Sequence, residues 1–184
     1  MATYLDRTFT AGNRKTMTFS AWVKRTGNLG TYAHLFTSSP NPGSWDSIRI
    51  ENDRKVGVHL VGDGKLIRTN RELWDPHAWY HIVVAIDTTQ ATASNRVKIY
   101  INGEQETDLN SSTYPDQNTD LNFNDNGKTC RIGDNTWSTG NEWFGGLASH
   151  WHFTDGTAYT PSAFGSTDST TGEWKINANP SVTY

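Results

Sequence analysis

The chain has 184 residues, a formal charge of −3 at pH 7 and a single cysteine, Cys130. That length can bury a core without covalent staples, and one thiol excludes an intrachain disulfide or a cysteine-based zinc cluster. Scattered Lys and Arg residues argue against nucleic acid as a partner, and no apolar run is long enough for membrane insertion.

The opening stretch "MATYLDRTFTAGNRKT" carries charges where a signal peptide needs an apolar run, so folding in a cytoplasm is expected. In "MTFSAWVKR" the residues Met17, Phe19, Ala21 and Val23 alternate with Thr18, Ser20, Trp22 and Lys24, which predicts a strand with one buried face. "DSIRIEN" repeats the pattern with Ile48 and Ile50 inward and Arg49 outward. "KVGVHL" groups Val56, Val58 and Leu60 and leaves His59 opposite. "WYHIVVAID" is apolar on both faces, as a doubly covered central strand would be, and Trp79 is expected in the core. "RVKIYINGEQ" sets Val97, Ile99 and Ile101 against Lys98 and Tyr100, and its Asn102-Gly103 pair is a strong hairpin signal. The stretch "LNSSTYPDQNTDLNFNDNGKT" is too polar for core and reads as an excursion between strands. "CRIGDN" is a short strand running into a loop. In "GLASHWHF", strict alternation puts Leu147, Ser149, Trp151 and Phe153 on one face and Ala148, His150 and His152 on the other. A short helix at 162–164 and a mainly irregular tail from about 166 to 184 complete the chain. Short strands separated by turn residues, with no repeat and no dividing linker, predict an all-β sandwich forming one domain over residues 1–184.

The order "FSAWVK", "WYHIVVAID", "VKIYINGE", "IGDN" and "FGGLASHWHFTDG" resembles the concanavalin A-like, laminin-G/pentraxin type of domain. The resemblance implies a two-sheet antiparallel jelly roll. It looks closer still to modules in structural and tail-fibre proteins of marine tailed phages. Those share wording like "YLDRTFTAGNRKTMTFSAWVKR", "DPHAWYHIVVAIDTTQATASNRVKIYINGEQ" and "FTDGTAYTPSAFGSTDSTTGEWK", from Tyr4 to about Lys175. At positions 150 and 152 the similar sequences are usually acidic or amide-bearing, so the two histidines inherit no role from them.

Some enzymes of this fold cleave β-glucans with a Glu-x-Asp-x-x-Glu strand, whose alternate carboxylates face the sugar. That spacing is absent, since Glu51 is followed by Asn52 and Asp53, and Ser, His and Asp form no recognisable nucleophile motif. A non-catalytic protein is therefore expected. His150 and His152 supply at most two metal ligands, where zinc needs three or four; His59 or His81 could add a third only from neighbouring strands. Calcium suits the chain better, although no cofactor is required. By resemblance to pentraxin-like relatives its candidate ligands are Asp46, Asp134, Asn135 and Glu142, with simple turn-making as the alternative. The stretch "NFNDNG", 122–127, echoes an EF-hand loop but lacks its closing Glu.

Trp45, Trp137 and Trp143 stand in Gly/Ser/Asn/Asp-rich loops, where exposed indoles either stack on sugar rings or fold back over the sandwich edge. With Asn141 they form the expected glycan-binding set. Trp22, Tyr100, His150 and His152, on outward strand positions, are the candidate subunit interface under a protein-contact reading, a solvated sheet surface being the alternative for the two histidines. The expected function is glycan recognition by a virion protein assembled in the host cytoplasm, with surface glycans and other virion proteins as partners and homo-oligomers supplying multivalency. The alternative is a capsid decoration or tail accessory protein working through protein contacts; a glycoside hydrolase is the weakest reading.

Overall fold

A computed structural model describes residues 4–26, 32–41, 44–135 and 142–184. The strands are β1 (Leu5–Thr8), β2 (Thr16–Arg25), β3 (Tyr32–Asn41), β4 (Ser44–Glu51), β5 (Lys55–Leu60), β6 (Lys65–Glu72) and β7 (Tyr80–Asp87). They continue with β8 (Val97–Ile101), β9 (Glu104–Gln105), β10 (Leu109–Thr113), β11 (Thr129–Ile132), β12 (Gly146–Asp155), β13 (Gly165–Thr167) and β14 (Trp174–Ile176). One antiparallel sheet of seven strands runs β1-β11-β3-β4-β5-β6-β10, and a second of five runs β12-β2-β7-β8-β9. The fold is therefore the expected all-β, two-sheet jelly-roll sandwich.

Alternation explains the layers. Met17, Phe19, Ala21 and Val23 of β2, with Ile82, Val84 and Ile86 of β7, meet Ile48, Ile50, Val56, Val58 and Leu60 from the facing sheet. Asn102 and Gly103 both take positive φ, 51° and 85°, in the tight turn between β8 and β9, as the Asn-Gly signal requires.

Two expectations fail on particular residues. The polar excursion contains core: Leu121 and Phe123 are fully buried, and Phe123 stacks on Phe36 at 5.1 Å. Strict alternation in β12 breaks at a bulge, where His150 adopts a φ of 48°. Ser149 pairs with Trp22 and His152 with Ser20, so His150 and Trp151 together face the single residue Ala21. Trp151 and Phe153 still reach the core, but Leu147 and Ser149 turn to the outer face with His152.

The tail is mainly irregular in backbone but packs on the sandwich. A 3-10 turn at Pro161–Ala163 and the β13–β14 hairpin carry it across the outer face of the five-stranded sheet. Thr18 Oγ1 donates to the Thr157 carbonyl and accepts from the Tyr159 amide, both at 2.7 Å. Phe164 closes a second apolar cluster over Val83, Ala85 and Tyr100. This explains why β7 is apolar on both faces.

Candidate functional site: a tryptophan-lined groove

The groove starts from β2 and β7. Trp22 is an outward residue of β2 paired with His81 of β7, and its indole stacks on the imidazole at 5.0 Å and 11°. His81 is fully buried. Its backbone N–H donates to Asn102 Oδ1 at 2.8 Å, and its Nδ1 accepts from Trp174 Nε1 at 2.9 Å. With Nδ1 accepting, the proton of the neutral ring sits on Nε2 and is donated to Ser20 Oγ at 2.9 Å. Burial holds the imidazole neutral by lowering its pKa from 6.5 to about 4. The hydrogen bond joins the Trp174 and His81 rings edge to edge, only 16° from coplanar, in one flat plate.

Glycines let that plate form. A Cβ on Gly103 or Gly165 would overlap the Trp174 indole, so the hairpin and the β8–β9 turn close around this ring only with glycine at both positions. Gly103 is doubly constrained, because its φ of 85° also disfavours a side chain.

Two lobes open beside the plate and share Trp22, Trp79, Glu173 and Trp174 as walls. One, of about 450 Å³, is completed by Ser149, Lys175 and Ile176 and is mainly apolar. The other, of about 620 Å³, adds Arg71, Ala78, Asn102, Glu104 and Gly172 and is more polar. Both volumes fall in the range of about 300–1,000 Å³ usual for small-molecule sites. Trp79, expected in the core, lies just before β7 and is 40% exposed along the groove. The arrangement joins aromatic planes to amide, carboxylate and cationic groups at the rim.

The expected site residues fall elsewhere. Trp45 is not in a loop: it belongs to β4, is only 8% exposed and stacks on His59 at 5.7 Å. Trp143 is 39% exposed and forms an isolated parallel bridge with His34, at the seven-stranded sheet and outside both lobes. Trp137 and Asn141 lie outside the described residues.

The calcium candidates divide. Asp46 is fully buried, its carboxylate accepting from the amides of Val61, Asn122 and Phe123 and from Asn122 Nδ2. Asp134 caps the Asn135 amide at 2.8 Å and faces Arg131 at 3.8 Å. Glu142 takes a hydrogen bond from Asn135 Nδ2 and stands 3.5 Å from His34 Nε2. His34, lowered to about 3 mainly by burial, is neutral there, and its Nδ1 meets Ser47 Oγ at 2.8 Å. N–H donors and a guanidinium around these oxygens do not fit a calcium cage. Among the described residues no group of three or more His, Cys, Asp or Glu side chains is placed to hold a metal ion. Asn122 and Asn124 of the EF-like stretch spend their side chains on Ser44, Asp46 and the Asn13 carbonyl.

Of the expected interface residues, Tyr100 and His152 are packed against the chain's own tail, while Trp22 and His150 are half-buried. Tyr100 is buried with Phe164, and His152 lies 5.5 Å from the Phe164 ring with its Nδ1 2.7 Å from the Tyr184 hydroxyl. His150 spends Nδ1 on Ser149 Oγ at 2.6 Å. Trp22 is the one of the four that lines the groove, and its place on the polar face of β2 was the readable signal. Trp174 gave no such signal, because nothing local ties the tail to His81.

Two antiparallel sheets with an aromatic groove define a jelly-roll domain of the lectin and glucanase kind. Residues 3–162 match the concanavalin A-like lectin/glucanases superfamily, and the chain belongs to it. No curated protein sequence matches the chain. Among solved structures it is similar to domain 4 of AbnA, a GH43 extracellular arabinanase from Geobacillus stearothermophilus, solved with arabinotriose. The identity is 20% and the TM-score 0.58, over 83% of this chain and 65% of that one, just under two thirds of its length. It is also similar to a native heptameric SAP-like pentraxin from Limulus polyphemus, at 18% and 0.58 over 85% and 71% of the chains. A putative carbohydrate-binding protein from Bacteroides ovatus matches at 17% and 0.56, over 96% and 58%. The fold is thus shared with domains of glycoside hydrolases and with pentraxins. The β13–β14 hairpin lies beyond the family match.

Proposed function

We propose that the protein is a non-catalytic glycan-binding module that holds sugar rings in the groove between Trp22, Trp79 and Trp174. The observation that carries this reading is the convergence of three indoles, from β2, the β7 approach and the tail hairpin, on two lobes sharing one wall. Indole planes stack on the apolar faces of sugars, while Asn102, Arg71, Glu104 and Glu173 at the rim can hydrogen-bond hydroxyls. Similar folds occur in a domain solved with arabinotriose and in a putative carbohydrate-binding protein, which agrees with the reading. The likeness of segments between Tyr4 and Lys175 to phage particle modules supports a place on a virion, where many copies would turn weak single sites into adhesion. The heptameric pentraxin is a precedent for oligomeric assembly in this fold.

The test is oligosaccharide binding by calorimetry and by an array of immobilised, multivalent glycans. Trp79→Ala removes an exposed ring and is expected to weaken binding about tenfold without lowering the melting temperature. Binding that persists unchanged in Trp79→Ala and Trp22→Ala would place the sugar elsewhere, and no binding to any glycan would overturn the reading.

A further inference from the structure

The charges around the groove are unevenly committed. Arg71 is held by Glu104 at 3.2 Å and Glu106 at 3.1 Å. Lys175 is held by Asp168 at 2.7 Å. Both cations of the lining are thus matched or outnumbered by carboxylates of their own chain. Glu173 lines both lobes, is exposed, and its carboxylate has no cation or hydrogen-bond donor among the described residues. A ligand entering between Trp22, Trp79 and Trp174 therefore meets one unneutralised negative charge and no free positive one.

We infer that the groove takes neutral and amine-bearing sugar chains and discriminates against uronic, sialic and sulfated ones. This rests on the reading of the groove as a glycan site and names the class of glycan. An acidic sugar beside Glu173 gains no unpaired guanidinium or ammonium to offset the repulsion. Opening the Arg71 or Lys175 pair to receive it would strand one of their carboxylates. A protonated amine gains a partner in Glu173. The groups are exposed, so the effect is moderate and screened by salt, with a Debye length of about 8 Å at physiological ionic strength.

The experiment compares each neutral oligosaccharide that binds with its own C6-carboxylated form, by calorimetry at low and high salt. The carboxylated form is expected to bind about two- to fivefold more weakly. That gap should shrink in Glu173→Gln and at high salt, since Glu173→Gln removes the charge and keeps the shape. Equal or tighter binding of the carboxylated form, lost in Trp79→Ala, overturns the inference and leaves the groove in place as a glycan site. A gap that neither salt nor Glu173→Gln alters is steric, and also overturns it. Failure of every neutral and charged glycan to bind removes the groove reading and the inference with it.

Discussion

Asp46 illustrates how a side chain suited to a metal can be spent on the fold. Its two oxygens receive three backbone amides and one side-chain amide from the β5–β6 turn and the 122–123 segment. Burial pushes its carboxyl up while those donors pull it down. Alanine at this position would leave the Val61, Asn122 and Phe123 amides without this acceptor, the buried orphans at Asn122 and Phe123 costing about 1–3 kcal/mol each. Asp46→Ala is expected to destabilise the protein by about 3 kcal/mol or more, read as a lower urea midpoint at unchanged slope. Cys130 gives a complementary prediction. It is buried in the core, and burial pushes its thiol up to about 11, so little thiolate exists at neutral pH. Native protein should leave a thiol-specific disulfide reagent unreacted, and urea-unfolded protein should consume one equivalent. Fast reaction in the native state would contradict the burial.

Among the elements, the β13–β14 hairpin does most to shape the groove, and its position depends on a turn far away in sequence. Gly103 must accept a positive φ and leave room for Trp174. Gly103→Ala is expected to cost about 1–2 kcal/mol for the left-handed backbone alone. It should also displace the indole, changing tryptophan fluorescence and weakening glycan binding. Unaltered fluorescence and affinity would show that the hairpin does not ride on this turn. Strands with one apolar face, such as β2, β4 and β5, were legible in the sequence because burial follows a period of two. So was the Asn-Gly turn, whose backbone demand is local. The site was legible only in part. Trp22 stood out on a polar strand face, but its partners His81 and Trp174 come from sequence positions far apart. Trp45 misled because Gly43-Ser44 before it looks like a loop, whereas Ser44 already begins β4. The bulge at His150 was also hidden: alternation assumes one residue per pleat, and a single left-handed residue shifts everything before it to the other face.

For the whole molecule, the plate of Trp174 and His81 links acidity to stability. The native His81 ring is lowered from 6.5 to about 4, so between those values the unfolded chain binds a proton that the native chain refuses. The contribution is complete above pH 6.5, is lost as pH falls toward 4, and levels off below that. A difference of this size corresponds to about 3 kcal/mol across the window. His34, lowered to about 3 by burial and by the neighbouring Arg49 and His59, acts in the same direction. Asp46 and Glu106, both pushed up by burial, act in the opposite direction over part of the range, so the total curve does not isolate the ring. The difference between wild type and His81→Gln does. Glutamine can donate and accept as the neutral imidazole does, yet it has no proton to gain. The stability gap between the two proteins should favour wild type most at pH 7 and close by about 3 kcal/mol on titration to pH 4, measured by urea unfolding at each pH. Tryptophan fluorescence of the native protein should stay constant down this window and change only as pH falls through about 4, where the ring itself gains a proton and Nδ1 can no longer accept from Trp174 Nε1. A pH-independent gap would mean that His81 stays neutral in the unfolded chain or titrates freely in the native one, and the closed plate would then owe nothing to its protonation state.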